Sequence, residues 1–549
     1  MPNSCRKFFY AAAFLLVWFT ATTNLSASDG LRTVVLTGEA VRGAGPDTIF
    51  RGSLNRHAPA LNNQGQVAFT GNIQGASTFG SFAVYSEGGG NGLRLLARNG
   101  TPAIEAGADA VFKNPDLFGG PVLSDQGHTA FVSSLTGTGI PTGTIGIWRE
   151  DGNGNLALIA REGAPATGIA SGVNYVTFFE SLSSQSVGLL ISDNGRIAFH
   201  GRLAGTGVNS SNNTGIWSEG GGSALELIAR SGDPAPGVGN NFGNIDPARG
   251  PVMNRRGEVA FHANASGISG IWTQSQGNQL ELVVKSEDPA PGPAGATFGG
   301  FAYHPGFNSR GHLSFTGGPS LWSNGHGNGF ELIARIGSPA PGTPSGVTFS
   351  NTFTERVLNS RGESAFLGYL QGTGITFTNN TGLWSEGGGD GLKLVARAGD
   401  QAPGTESGVL FGPQIFENAP ILNAQGQLAF LNSLQGPGVT ILNNIGIWAE
   451  DVAGNLTLIT RTGDLLNVSD DPLTPDLRTI RELSFAGRSG NDDGKRSGFN
   501  DRGQLAFWAR FTDGSEGFFV SDIVAVPEPS SLLLAVLLIC RLMTVRNKS

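Results

Sequence analysis

The stretch Leu61-Asn62-Asn63-Gln64-Gly65-Gln66-Val67-Ala68-Phe69 (LNNQGQVAF) decides how the rest of the chain reads, because it occurs eight times. The later copies are LSDQGHTAF, ISDNGRIAF, MNRRGEVAF, FNSRGHLSF, LNSRGESAF, LNAQGQLAF and FNDRGQLAF, the last ending at Phe507. Their glycines (Gly65, Gly127, Gly195, Gly257, Gly311, Gly362, Gly426 and Gly503) lie 62, 68, 62, 54, 51, 64 and 77 residues apart. Such a period marks a repeat architecture, in which each copy is one supersecondary unit that stacks on its neighbours. Asn or Ser followed three residues later by Gly predicts a type I turn, with the side chain capping it and Gly in the last position.

Around each phrase lie four strand-like pieces. In the third copy they are VGLLIS, GRIAFHG, TGIWSE and LELIARSGDPAPG, with period-two alternation in GRIAF and LELIA. Glycine-rich hairpin signals (EGGGNGL, EDGNGNL, EGGGDGL) join the last two pieces. Each unit then reads as a four-stranded antiparallel meander, and a ring of them is an all-β, closed β-propeller. The segment Leu31 to Gly43 (LRTVVLTGEAVRG) aligns without gaps to Leu225 to Gly237 (LELIARSGDPAPG), so it is a fourth strand lacking the first three. Placed in the last sheet, it closes the ring at eight blades and removes exposed sheet edges. An open stack of sandwiches or a solenoid is the competing arrangement. Composition agrees with turn-dense β structure: Gly is 85 of 549 residues and charged residues are 14%.

Three segments follow: 1–28, 29–523 and 524–549. The first has Arg6 and Lys7, the apolar run FFYAAAFLLVWF and small residues up to Ser28, and it reads as a secretory signal peptide. The last is dominated by Pro527, Glu528 and Pro529, an apolar stretch from Leu532 to Cys540, and the basic residues Arg541, Arg546 and Lys548. It resembles the PEP-CTERM sorting signal recognised by exosortases of Gram-negative bacteria. The resemblance implies an exosortase-type processing enzyme as partner, a cell-surface or matrix location, and membrane contact only through the tail. The apolar run is about half the roughly 20 residues a spanning helix needs. Both cysteines, Cys5 and Cys540, lie in these terminal segments, which leaves the repeat region without disulfide or thiolate ligand. Without the five terminal basic residues, 30 cationic side chains face 43 acidic ones, a net charge near −13 that argues against nucleic acid as a partner.

The phrase NxxGxxAF itself is similar to that of a tandem-repeat family of bacterial surface proteins, over roughly residues 31 to 523. Ser124 and Ser192 depart from it by standing where Asn is expected. The resemblance implies location and architecture and transfers no catalytic residue.

Residues recurring in every copy read as scaffold. Trp148, Trp217, Trp272, Trp322, Trp384 and Trp448 (with Tyr85 and Phe519 in the first and last copies) are expected between neighbouring sheets. The basic residues ending the fourth strand, such as Arg230, are expected to pair with an acid of their own blade, Asp233 or Glu219. No HExxH, GxSxG or Walker loop is present, so no catalytic residue, cofactor or metal is assigned. His200 and His262 share a repeat position but lack a third ligand. Asp151, Asn153 and Asn155 imitate part of a calcium loop, yet a hairpin turn explains them. Asn491, Asp492 and Asp493 lie in an insertion and read as a solvated loop with a calcium loop as the rival.

Ligand-binding candidates are polar residues of the first strands, which lie nearest the axis of a propeller: Asp116, Asp246, His304, Glu355 and Glu417, with Arg56, His57, Glu180 and Glu482 at equivalent places. A water-filled channel accounts for acids there; a secreted carbohydrate-active hydrolase or lyase would need two of them to converge at roughly 5 to 10 Å. Long loops between second and third strands (LTGTGIPTGTIGIW, LAGTGVNSSNNTGIW, LQGTGITFTNNTGLW, LQGPGVTILNNIGIW) mark one face. Their Gly, Thr and Asn content suits a hydroxyl-rich polymer and equally suits inert turns; it is the resemblance to PEP-CTERM proteins that implies extracellular polysaccharide as a partner. The sequence thus points to a non-enzymatic binding or structural module.

Overall fold

In the computed structural model, the described residues are 30–524 except 42, 44–46, 53–56, 76–77, 116–118, 179–187, 221, 223, 244, 247–249, 275–278, 293–294, 352, 416–419 and 472. The segment read as a signal peptide and the residues that resemble a sorting signal, Pro527, Glu528, Pro529 and Arg541, lie outside them. All the named elements are strands, arranged as eight antiparallel sheets in chain order around a ring. The protein is an eight-bladed β-propeller.

Each phrase forms the turn from first to second strand. In all eight copies the glycine N–H donates to the carbonyl of the residue three before it, from 2.9 to 3.1 Å. In the first copy Asn62 Oδ1 accepts from the N–H groups of Gln64 and Gln66, at 3.0 and 2.9 Å. The repeat glycines all have φ between 76° and 91°, where a Cβ is disfavoured.

Closure is as expected. Leu31–Leu36 pairs antiparallel with Glu516–Ser521, so the N-terminal strand is the outermost strand of blade 8. The core is eight interblade layers. One joins blades 8 and 1 through Phe518, Trp508, Phe50 and Phe69; another joins 1 and 2 through Val84, Ala97, Phe131 and Trp148. The six remaining junctions each have their own cluster. The recurrent Trp lies in these layers as predicted, fully buried in most blades. In five blades its indole donates to a carbonyl of the connection entering the blade, as from Trp217 to Thr167 and from Trp448 to Pro403, both 3.0 Å, whereas the Trp322 indole has no such bond among the described residues. In those five the Gly two residues before the Trp is needed, because a Cβ at Gly146 or Gly446 would run into the ring of Trp148 or Trp448.

The turn Asn has a second role that its capping function did not reveal. Its Nδ2 donates to the carbonyl of the corresponding residue in the next blade: Asn62 to Ser124, Asn254 to Asn308, Asn308 to Asn359, Asn359 to Asn423, Asn423 to Asn500, and Asn500 back to Asn62. These bonds are 2.9 to 3.0 Å long, and the last closes the circle across 438 residues. A packed neighbour also explains the glycine-rich hairpins. A Cβ at Gly88 would fall on the carbonyl of Gly127 in the following blade, and Gly387 meets Gly426 in the same way.

The basic residues ending the fourth strands follow the expectation in part: Lys285 pairs with Asp288, and Arg230 acts on Asp233, while backbone carbonyls are partners as well. Arg230, Arg397 and Arg461 donate from Nε to the carbonyls of Asn212, Asn379 and Asn443 in the loops between second and third strands. Burial raises the Asp233 pKa, with Arg230 opposing that shift. Glu219 belongs elsewhere: it caps the N–H of Ile197 and pairs with Arg149 of the preceding blade.

Candidate functional site

The innermost strands carry the residues that differ between copies, and they surround the axis. That axis is filled at the level of the turns by the chain itself. Residues 488–498, the insertion behind the 77-residue spacing, enter from blade 8 and touch all seven other blades. Ser497, Gly494 and Ser489 carbonyls accept from the N–H groups of Leu61, Ile191 and Leu422 at 2.7, 2.9 and 3.1 Å. Arg496 donates to the carbonyl of Gly119, Arg255 Nε donates to that of Asn491, and Ser309 binds Asp492. Gly490 packs against the Leu358 carbonyl so closely that no side chain fits. Inner strand edges have backbone groups with no further strand to pair with, and this plug satisfies several of them.

Two readings are corrected here. Asn491, Asp492 and Asp493 form neither a solvated loop nor a calcium loop: Asp492 and Asp493 are buried, and Asp493 accepts from Ser489 Oγ at 2.8 Å and faces Lys495 at 3.5 Å. The axis at this level is packed with protein rather than water. One arginine organises the acids around it. Arg255 lies 2.7 Å from Asp501, 3.5 Å from Asp125, 3.8 Å from Asp193 and 3.9 Å from Asp492. Burial, reinforced by Asp125, Asp492 and Asp501 against the pull of Arg255, pushes the Asp193 carboxyl up to about 7.

Beside the plug, between blades 5 and 6, is a small pocket lined by Tyr303, His304, Thr354, Glu355, Arg356, Arg488 and Lys495. It contains two of the five predicted ligand-binding residues, His304 and Glu355. Asp246 is elsewhere, in blade 4 near His200, and Asp116 and Glu417 lie outside the described residues, as do Arg56 and Glu180. His57 approaches Arg496, and burial and that charge together push its imidazole down to about 4. Glu482 faces Arg510 at 4.0 Å.

The pocket volume is about 40 Å3. At about 10–15 Å3 for each water, it holds a few waters or one small polar group. Among the described residues Glu355 is the one carboxylate lining it, and it pairs with Arg488 at 3.1 Å. The Arg356 guanidinium donates to the carbonyl of His304 and lies 5.7 Å from the centre of the Tyr303 ring. Burial lowers the Arg356 pKa to about 10, with Glu355 and Tyr303 opposing it. Burial also lowers Lys495, and burial with Lys495 and Arg356 holds His304 well below its usual value, so that imidazole is neutral at pH 7. Tyr303, Glu355 and Arg488 have φ of 65°, 50° and 74°. Such strain in side-chain-bearing residues gathers where a particular presentation of groups is held in place.

The other predicted chemistry resolves into structure. Asp151 accepts from the N–H groups of Asn153 and Asn155, making a turn. His200 approaches the Ile245 carbonyl and His262 the Ser269 hydroxyl, so the two do not share a ligand. Among the described residues no group of three His, Cys, Asp or Glu could hold a metal ion. In the long loops Asn212, Asn379 and Asn443 each donate to their own loop's backbone (Gly207, Gly374, Gly438). On adjacent blades 6 and 7 they expose Thr373, Thr376 and Thr440 beside apolar Phe377, Ile441 and Leu442, the last three 81%, 87% and 64% exposed.

Comparison with solved structures gives distant likenesses only. A Lactobacillus plantarum protein is 12% identical, with a TM-score of 0.29, over 72% of this chain and 95% of that one. Prolyl oligopeptidase B from Galerina marginata is 11% identical, with a TM-score of 0.34, over 86% of this chain and 56% of that one. The polysaccharide lyase Uly1 is 9% identical, with a TM-score of 0.32, over 90% and 98%. At these identities nothing about activity carries over, and the ring rests on the strand pairing and hydrogen bonds above. No curated protein matches the chain. Residues 20–188 and 182–533 match the model of DUF7453, a family of unknown function, and the chain belongs to that family.

Proposed function

We propose that this protein is an exported, surface-sorted β-propeller that acts as a binding or structural module of the extracellular matrix, in association with a glycan. The observation that carries the non-enzymatic reading is the plug. The centre of the ring is occupied by the chain's own residues 488–498, and the carboxylates gathered there are engaged with Arg255 or with backbone groups. A carbohydrate-active hydrolase working at the axis would need a second acid beside Glu355, where Arg488 and Lys495 stand among the described residues. The tail resembling a sorting signal supports export and handling by an exosortase-type enzyme, and the class of surface proteins with such tails supports a polysaccharide partner. Affinity electrophoresis of the purified full chain through gels containing neutral or acidic polysaccharides tests the reading. Retardation in at least one gel is the expected result; unretarded migration in all of them would overturn the glycan association.

A further inference from the structure

We propose that the pocket between blades 5 and 6 is a binding site for an oxyanion, the carboxylate of an acidic sugar being the fit to the glycan-binding reading on which this inference builds. Three cationic side chains, Arg356, Arg488 and Lys495, line a space that has a single carboxylate in its wall among the described residues. Glu355 is engaged with Arg488, and Asp493 stands behind Lys495. Arg356 is left over. It is buried, none of the described carboxylates makes an ion pair with it, and its Nε has no hydrogen-bond partner among the described residues. Glu355 acts on Arg356 only from a distance while paired with Arg488; a buried charge without a direct ion pair is costly, and a bound anion supplies that partner. Arginine also offers a planar fork that matches a carboxylate or sulfate.

The size of the site argues the same way. About 40 Å3 accommodates a carboxylate or a sulfate but not a sugar ring, so the pocket would take the charged group while the rest of a chain stays outside. It is reachable, since the side chains of Arg488, Lys495 and Glu355 retain 24%, 16% and 13% of their exposure. The left-handed backbone at Tyr303, Glu355 and Arg488 sets three of the lining residues in fixed positions before any ligand arrives, and preorganisation of this kind lowers the cost of binding.

Calorimetric titration of the purified full chain tests this with three probes: an oligogalacturonate, a neutral glucan oligomer of equal length, and sodium sulfate. The oligogalacturonate is expected to bind and the neutral oligomer not to. Lys495→Gln should weaken binding at least tenfold. Glu355→Gln should strengthen it several-fold by releasing Arg488, a gain that misfolding cannot imitate. Binding of sulfate without oligogalacturonate supports the oxyanion site with a free ion as its source. Absence of binding by both anions, or affinities unmoved by both variants in folded protein, overturns the site. Polysaccharide retardation that persists unchanged in Lys495→Gln and Glu355→Gln also overturns it while leaving the glycan-binding reading intact.

Discussion

Six of the eight seams between blades are closed by the same neutral bond from an asparagine amide to the next turn's carbonyl; the two seams that start from Ser124 and Ser192 are not. A serine hydroxyl is too short to reach across. It still caps its own turn, since Ser124 Oγ accepts from the N–H of His128 and Ser192 Oγ from that of Arg196. Besides their apolar layers, the serine seams have a shared charge cluster at the level of the turns. Asp125 and Asp193 follow the two serines, and both face Arg255, whose carbonyl also accepts from the Asp193 N–H at 3.0 Å. One ring therefore uses two kinds of fastening: a local bond repeated by sequence, and a shared charge cluster built by one arginine and the plug.

The largest effect should come from breaking the ionic side. Arg255→Ala leaves Asp125, Asp193, Asp492 and Asp501 gathered without their cation, and removing one partner of a buried cluster costs about 3–5 kcal/mol. A denaturant or thermal melt should show this loss together with protease cleavage in 488–498; an unchanged melt would show that the plug does not depend on Arg255. A smaller loss is expected on the neutral side. Asn359→Ser imposes a serine seam without the compensating charges, removing the bonds to the Asn423 carbonyl and Glu363 and costing about 1–2 kcal/mol. A cost as large as that of Arg255→Ala would erase the distinction between the seams.

The gentlest probe is pH. Asp193, facing Arg255, Asp125, Asp492 and Asp501, has a folded pKa of about 7 against an ordinary value of 3.8. The folded state therefore holds this proton more tightly than the unfolded chain. Its contribution to stability is present below pH 4 and is lost as pH rises to about 7. Melting temperature should decline by a few degrees over that interval beyond the contribution of other groups. Asp193→Asn should remove this part of the slope, while Asn359→Ser should keep it. An identical pH profile in Asp193→Asn would refute the assignment.

Much of the candidate site was half visible in the sequence. His304 and Glu355 stood out because they occupy innermost-strand positions where the copies differ. Arg356 did not, since an arginine within a strand commonly reaches solvent, and its burial depends on the packing of blade 5 beside blade 6. Arg488 and Lys495 lie more than 130 residues further along the chain. Their convergence on Glu355 requires the ring to be closed and the insertion to turn inward. The 77-residue spacing flagged that insertion, but a segment rich in Gly, Ser, Asp and Lys has the composition of a surface loop. Its partners in the closed ring are backbone groups and polar side chains such as Arg255, Ser309 and Glu355 rather than apolar ones, which no hydrophobic pattern announces.

By itself the sequence determined the unit, the number of units and the manner of closure. The turn and the strands are local preferences repeated eight times, the Gly-x-Trp pair recurs in five of the blades, and the spare strand at Leu31 has one vacant place to go. Only the tertiary structure decided what occupies the centre. Contacts there join residues from all eight blades, and no local pattern encodes which side chains meet once the ring is closed.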